Sequence, residues 1–163
     1  MLTSIRQTHT LCLLFAATIA LAIGFQIAAP AAGGILLDGI ASLAAAQELL
    51  QSMSMEQKQA HFWITLLLDM PFPFAYGGLF LGLCLRHGGK YAPGLATPAF
   101  LVIPVDLIEN AVQLMALAGN EQLLPAKELL TPAKFLLFYL AALIALGSLG
   151  IRLMMTVARQ LRR

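Results

Sequence analysis

Charged residues are spaced along this chain so as to leave four long apolar intervals. Between Arg6 and Asp38 lie 31 residues with no Asp, Glu, Lys or Arg, and 17 more separate Lys134 from Arg152. Lys58 to Arg86 encloses 27 residues with one charge, Asp69, while Lys90 to Glu121 encloses 30 with two, Asp106 and Glu109. A helix needs about 20 mostly apolar residues to cross a hydrocarbon layer of about 30 Å. The pattern therefore predicts spans near 11–29, 62–85, 98–118 and 133–154.

The one long connection, residues 30 to 61, has its own pattern. After Gly33-Gly34, a hinge candidate, the apolar residues Leu36, Leu37, Ile40, Leu43, Ala44 and Leu50 alternate at helical spacing with Asp38, Ser42 and Glu48. Such a segment, about 35 to 51, is expected to lie in the membrane interface as an amphipathic cover over the bundle. Ser54 and Gln57 read as a capping box that starts the second spanning helix. No repeat, low-complexity tract or linker interrupts residues 1–163, which are read as a single integral membrane domain.

Composition agrees with lipid as the solvent. Of 163 residues 60% are hydrophobic and 11% charged, against roughly 45–50% and 25% in soluble domains, and the mean hydropathy is +0.83. The net charge of +2 comes mainly from the C-terminal tail, so a nucleic-acid partner is not expected. The short flanks carry Arg6, Arg86, Lys90, Arg152, Arg159, Arg162 and Arg163 on one side and Lys58, Lys127 and Lys134 on the other. By the positive-inside rule both termini are cytoplasmic, as expected of a multi-pass protein of a bacterial inner membrane. The run from Leu11 to Phe25 followed by Ala28-Ala29-Pro30-Ala31-Ala32 also fits a cleaved signal peptide, although its apolar stretch is longer than the usual one.

Against this background the third span is unusual. Asp106, Glu109, Asn110 and Gln113 fall at i, i+3, i+4 and i+7 and share one face. Each acid near a helix centre costs about 2.5–3.5 kcal/mol to insert, whereas a Leu returns only about 0.3–0.6. The stripe must face the bundle interior or a wet cavity. In the second span Thr65, Asp69 and Tyr76 share a face, and Pro71 and Pro73 remove the amide donors that would serve the carbonyls of Leu67 and Asp69. Pro104 does the same to Phe100, so interruptions are expected in both helices beside a polar pocket. Counting along each helix puts Asp69, Asp106, Glu109, Gln26 and Lys134 from mid-membrane outward, in a chamber opening toward the outer leaflet.

Three carboxylates facing one lysine away from water cannot all stay ionised cheaply. Lys134 is expected to pair with Asp69 or Glu109, and at least one acid to hold a proton. Asp69, Asp106, Glu109 and Lys134 are thus the candidate catalytic groups. Gln26, Tyr76, Asn110, Gln113 and His61 are the candidate ligand-binding groups, with His61 at the outer water boundary as a proton relay. Gly77-Gly78 and Gly82 are assigned to close helix packing. Cys12 and Cys84 both fall near inner ends of spans, and no metal-ligand or nucleophile motif occurs, so no disulfide, metal or cofactor is expected.

The segments Leu68-Asp69-Met70-Pro71-Phe72-Pro73-Phe74-Ala75-Tyr76-Gly77, Asp106-x-x-Glu109-Asn110 and Thr131-Pro132-Ala133-Lys134 resemble a group of small four-helix bacterial membrane proteins with no assigned activity. The resemblance covers about residues 35 to 150 and implies the same fold and positions, without a reaction. The fold expected is therefore all-α, a four-transmembrane-helix bundle with an interfacial helix between its first two spans. The function expected is binding or acid/base processing of a small lipophilic molecule, with membrane lipids as surroundings. The alternatives are a proton- or sodium-coupled transport component, which at this length calls for a homodimer, and a non-catalytic membrane assembly subunit whose acids pair with a partner helix.

Overall fold

The structure is a computed structural model describing residues 2–161, and the Arg162 and Arg163 of the basic tail lie outside the described residues. After a single helical turn at Leu2–Ile5, the chain forms α1 (Thr8–Ala28), α2 (Leu43–Ser52), α3 (Met55–Ile64), α4 (Phe72–His87), α5 (Ala92–Leu117) and α6 (Lys127–Gln160). No strand occurs among the described residues. Four helical stretches are long and apolar enough to cross a membrane: Thr8–Ala32, Met55–His87, Gly89–Leu117 and Leu124–Gln160.

Contacts fix an up-and-down order. On α4, Gly78 and Gly82 meet Leu14 and Leu11 of α1, while Gly24 of α1 meets Leu68, so the two run antiparallel. Gly77 of α4 packs on Ile103 and the Ala99 carbonyl of α5. A β-carbon there would lie 2.5 Å from Ile103 Cγ1, so the missing side chain sets how closely these helices approach. Glu109 of α5 faces Lys127 and Thr131 of α6, while Ala96 lies in one cluster with Ala145.

The second span is interrupted where its prolines predict. Residues Thr65–Asp69 form a π turn in which the Met70 amide donates to the Thr65 carbonyl at 2.9 Å, five residues back. A regular α-helix here would need Pro71 and Pro73 as donors, and neither has an N–H. The turn widens by one residue just before the prolines, and the helix restarts at Phe72. The matching expectation for Pro104 is not met, because α5 runs unbroken through Pro98 and Pro104.

The long connection departs further from its pattern. Before α3 begins, its α-helix is Leu43–Ser52, shorter than the 35-to-51 segment expected. Gly33 and Gly34, at φ of 91° and 86°, cap the turn Ala29–Ala32 in the left-handed region and reverse the chain. A short turn, Leu37–Gly39, follows. Leu37 is fully buried in an apolar cluster with Ala46, Leu50, Met53, Ala116, Leu117 and Leu124. Residues 37–53 therefore close one end of the bundle, helped by Glu128, whose carboxylate accepts from the Leu43 amide at the start of α2. A second apolar cluster, around Cys84, Ala96 and Ala145, fills the other end. The polar groups form a layer between the two.

Candidate functional site

The layer is organised by α5. The spacing of Asp106, Glu109, Asn110 and Gln113 places all four on its inner face, and each is buried to 3% exposure or less. Glu109 is clasped by α6: Lys127 Nζ and Thr131 Oγ1 each donate to its Oε1 at 2.5 Å, and Lys134 Nζ lies 2.5 Å from its Oε2. Lys127, Thr131 and Lys134 fall at i, i+4 and i+7, so one face of α6 presents three donors to one carboxylate. Lys134 Nζ also pairs with Asp38 and lies 3.6 Å from Asp106 Oδ1.

One turn along α5 the environment changes. Asp106 Oδ2 accepts from the Tyr76 hydroxyl at 2.6 Å, while its Oδ1 accepts no hydrogen bond. Asp69, brought inward at the end of the π turn, is 4% exposed, and no hydrogen bond or ion pair to its carboxylate occurs among the described residues. Asp38, on the Leu37–Gly39 turn, approaches from the closed end of the bundle and is a third exposed. One carboxylate oxygen from each of Asp38, Asp69 and Asp106 lies within 4.8 Å of the other two. These three are the residues that could hold a metal ion or another cation.

The acids face a cavity of about 100 Å³ lined by Asp38, Asp69, Tyr76, Asp106 and Lys134 together with Phe72, Phe135 and Phe138. Its aromatic wall is internally braced. Tyr76 meets Phe72 and Phe138 edge to face, each with ring centroids 5.0 Å apart. Phe138 in turn meets Phe80 at 5.6 Å. Phe80 lines a larger apolar groove of about 720 Å³ between α1, α4 and α6, with Arg86 and His87 at its end. Phe80 also meets Tyr76 at 6.0 Å, so the rings of Tyr76, Phe80 and Phe138 stand between polar chamber and apolar groove.

Of the residues singled out from sequence, Asp69, Tyr76, Asp106, Glu109 and Lys134 converge. Lys134 reaches Glu109 but not Asp69. Gln26 does not converge: it is exposed on α1 and lines no part of the chamber. His61 is also corrected. It is 1% exposed instead of lying at a water boundary, because the connection folds over it and the Leu37 amide donates to its Nε2 at 3.3 Å. Asn110 and Gln113 are buried beside Glu109, 3.5 Å apart in a hydrogen bond of their own, and do not line the cavity.

Asp38, Lys127 and Thr131 were not anticipated. Lys127 and Lys134 were counted among the flanking charges, but both are buried on Glu109, which leaves Lys58 as the one flanking base on that side. The seven-residue spacing of Lys127, Thr131 and Lys134 was the available signal. No protein-family model, curated protein or solved structure matches the chain.

Proposed function

We propose that this is a multi-pass protein of a bacterial inner membrane whose acidic chamber binds a small lipophilic molecule and exchanges protons with it. The observation that carries the reading is Asp69, a carboxylate 4% exposed with no partner of its own. A structural network would leave no acid unmatched at such depth, since an unpaired buried charge is costly. Asp69 and Asp106 are the proton-exchanging pair. Tyr76 orients Asp106, and the Lys127–Glu109–Lys134 group holds α5 and α6 in register behind them.

The lining supports an amphiphilic ligand. A cavity of about 100 Å³ takes a head of only a few heavy atoms, since about 150 Å³ admits benzene. The rings of Phe138 and Phe80 lead from it toward the apolar groove. In this reading both termini are cytoplasmic, α2 rests in the interface of the outer leaflet, and Asp38 stands at the chamber's outer mouth. Burial of Lys127 and Lys134 removes two charges from the outer count and sharpens the asymmetry behind that orientation.

One feature favours a second reading, a proton- or sodium-coupled transport component. Pro73 has no N–H to donate to the Asp69 carbonyl at the end of the π turn, and freed carbonyls beside acids also serve ion sites. The inward direction of the acids offers a partner helix nothing to pair with and so lends no support to an assembly subunit.

Native mass spectrometry of lipids retained by the purified protein tests the proposal. A species retained by the wild type and lost from both Asp69→Asn and Asp106→Asn is the expected result. Identical retention in all three proteins would defeat it.

A further inference from the structure

Among the described residues Asp69 and Asp106 Oδ1 accept no hydrogen bond, and Asp106 Oδ1 has only the Lys134 ammonium at 3.6 Å, in a chamber whose acids outnumber its bases. Four carboxylates (Asp38, Asp69, Asp106, Glu109) surround two lysines (Lys127, Lys134), so the fully ionised layer carries two excess negative charges. Such a site asks for a cation, and its geometry constrains which. Oxygens no more than 4.8 Å apart can share a centre up to about 4.8/√3, or roughly 2.8 Å, from each, which reaches the length of a charge-assisted N⁺–H···O⁻ bond. Mg²⁺ binds oxygen at about 2.0–2.1 Å and Ca²⁺ at about 2.3–2.6 Å with six or more ligands. The rest of this lining is Lys134 with Phe72, Tyr76, Phe135 and Phe138, whose one side-chain oxygen, the Tyr76 hydroxyl, is already engaged by Asp106, so a six-oxygen shell is not assembled from side chains here.

We propose that the chamber is a primary-ammonium site. Three N–H donors would meet Asp69, Asp106 Oδ1 and Asp38, and the carbon stem would lie against Phe72, Tyr76 and Phe138. Lys134 is an internal precedent, since its own ammonium sits on the Asp38–Asp106 edge of the trio with its head 5.0 Å from the Phe135 ring centre. Lys134 does not reach Asp69, so the incoming group takes the Asp69 side while Lys134 keeps Glu109. The cavity volume fits an amine of ethyl to butyl size, or the aminoethyl end of a lipid headgroup with its chains left outside. The proposal rests on the reading of the chamber as a binding site and gives that ligand a chemical class.

The two sources are separated by reconstituting the full chain in nanodiscs. In phosphatidylcholine discs, which present no primary amine, propylammonium chloride should raise the thermal unfolding midpoint, while tetramethylammonium and potassium chloride at equal ionic strength should not. In discs containing phosphatidylethanolamine, that lipid should stay bound through native mass spectrometry. Asp69→Asn should weaken whichever binding is seen by at least about tenfold, a difference of about 1.4 kcal/mol, and Asp38→Asn, altered at the chamber's more exposed edge, should weaken it too. A response to propylammonium alone identifies a free amine, and retention of the lipid alone identifies a headgroup; either supports the site. An equal response to tetramethylammonium or potassium, or no amine effect in either disc, overturns it. If another lipid is still lost from Asp69→Asn, only the ammonium assignment falls. If none is, the binding reading falls as well.

Discussion

Removing the Glu109 charge should be the most damaging single change in the polar layer, and the size of the effect follows from its partners. At 2.5 Å between side chains of 0% exposure, the Lys127–Glu109 pair has a gross attraction of about 7 kcal/mol at an effective dielectric near 20. Desolvating each ion costs several kcal/mol in return, so the intact pair contributes little net stability. Breaking it is another matter. Glu109→Gln leaves Lys127 buried with no counter-charge and takes from Lys134 its contact on Oε2, which should cost about 3–5 kcal/mol. Lys127→Met should cost less, about 1–3 kcal/mol, because Thr131 and Lys134 still satisfy Glu109. The double variant should then recover at least about 1 kcal/mol relative to the sum of the two singles. Detergent-induced unfolding in mixed micelles, followed by helix content, measures all three. Equal single effects that add to within about 0.5 kcal/mol would refute the reasoning, since the lysine would not depend on the acid.

Other substitutions probe separate contacts. Asp69→Asn should leave the protein as stable or stabilise it by about 1–3 kcal/mol in the same unfolding assay, since it relieves an unpartnered buried charge; a loss of stability would mean that Asp69 has a structural partner. Tyr76→Phe removes the 2.6 Å bond to Asp106 and should cost about 1.5–3 kcal/mol, readable as a shifted unfolding midpoint. Gly77→Ala forces a methyl against Ile103 and should cost about 1–3 kcal/mol. Gly147→Ala, in a helix with open space around it, should instead gain up to about 1 kcal/mol. Ser54→Ala breaks the reciprocal cap with Gln57 at the start of α3 and should cost about 1 kcal/mol, seen as earlier amide exchange in residues 55–58.

The spanning helices and the acid stripe were legible because both are local properties. Apolar length marks each span, and the spacing of Asp106, Glu109, Asn110 and Gln113 fixes their shared face whatever surrounds them. The Pro71–Pro73 interruption was legible for a similar reason, a missing donor being written in the residue type. What escaped depended on the path of the chain between helices. Asp38 has the spacing of a surface helix, and only the reversal at Gly33-Gly34 and the burial of Leu37 turn it toward Lys134. His61 was placed at a water boundary because nothing in its own segment shows that residues 29–37 fold over it. Lys127 was assigned to a loop because the hydropathy of span four begins at residue 133, six residues after α6 starts. A helix can begin well before its apolar stretch when a buried counter-charge stabilises the extra turns. Gln26 was the opposite error, a polar residue inside an apolar run that simply faces outward.

The π turn at Thr65–Asp69 acts as a registration offset. Each residue advances a helix by about 100°, and a π turn holds one more residue than the α turn it replaces. On a regular helix the steps from His61 to Asp69 would advance about 800°, leaving the two side chains about 80° apart around the axis. With the surplus residue absorbed the advance is about 700°, within about 20° of two full turns, so His61 beneath the Leu37 turn and Asp69 opposite Asp106 share one inward face. Deleting a single leucine between Leu66 and Leu68 should therefore let the span close into a regular α-helix with both side chains still inward.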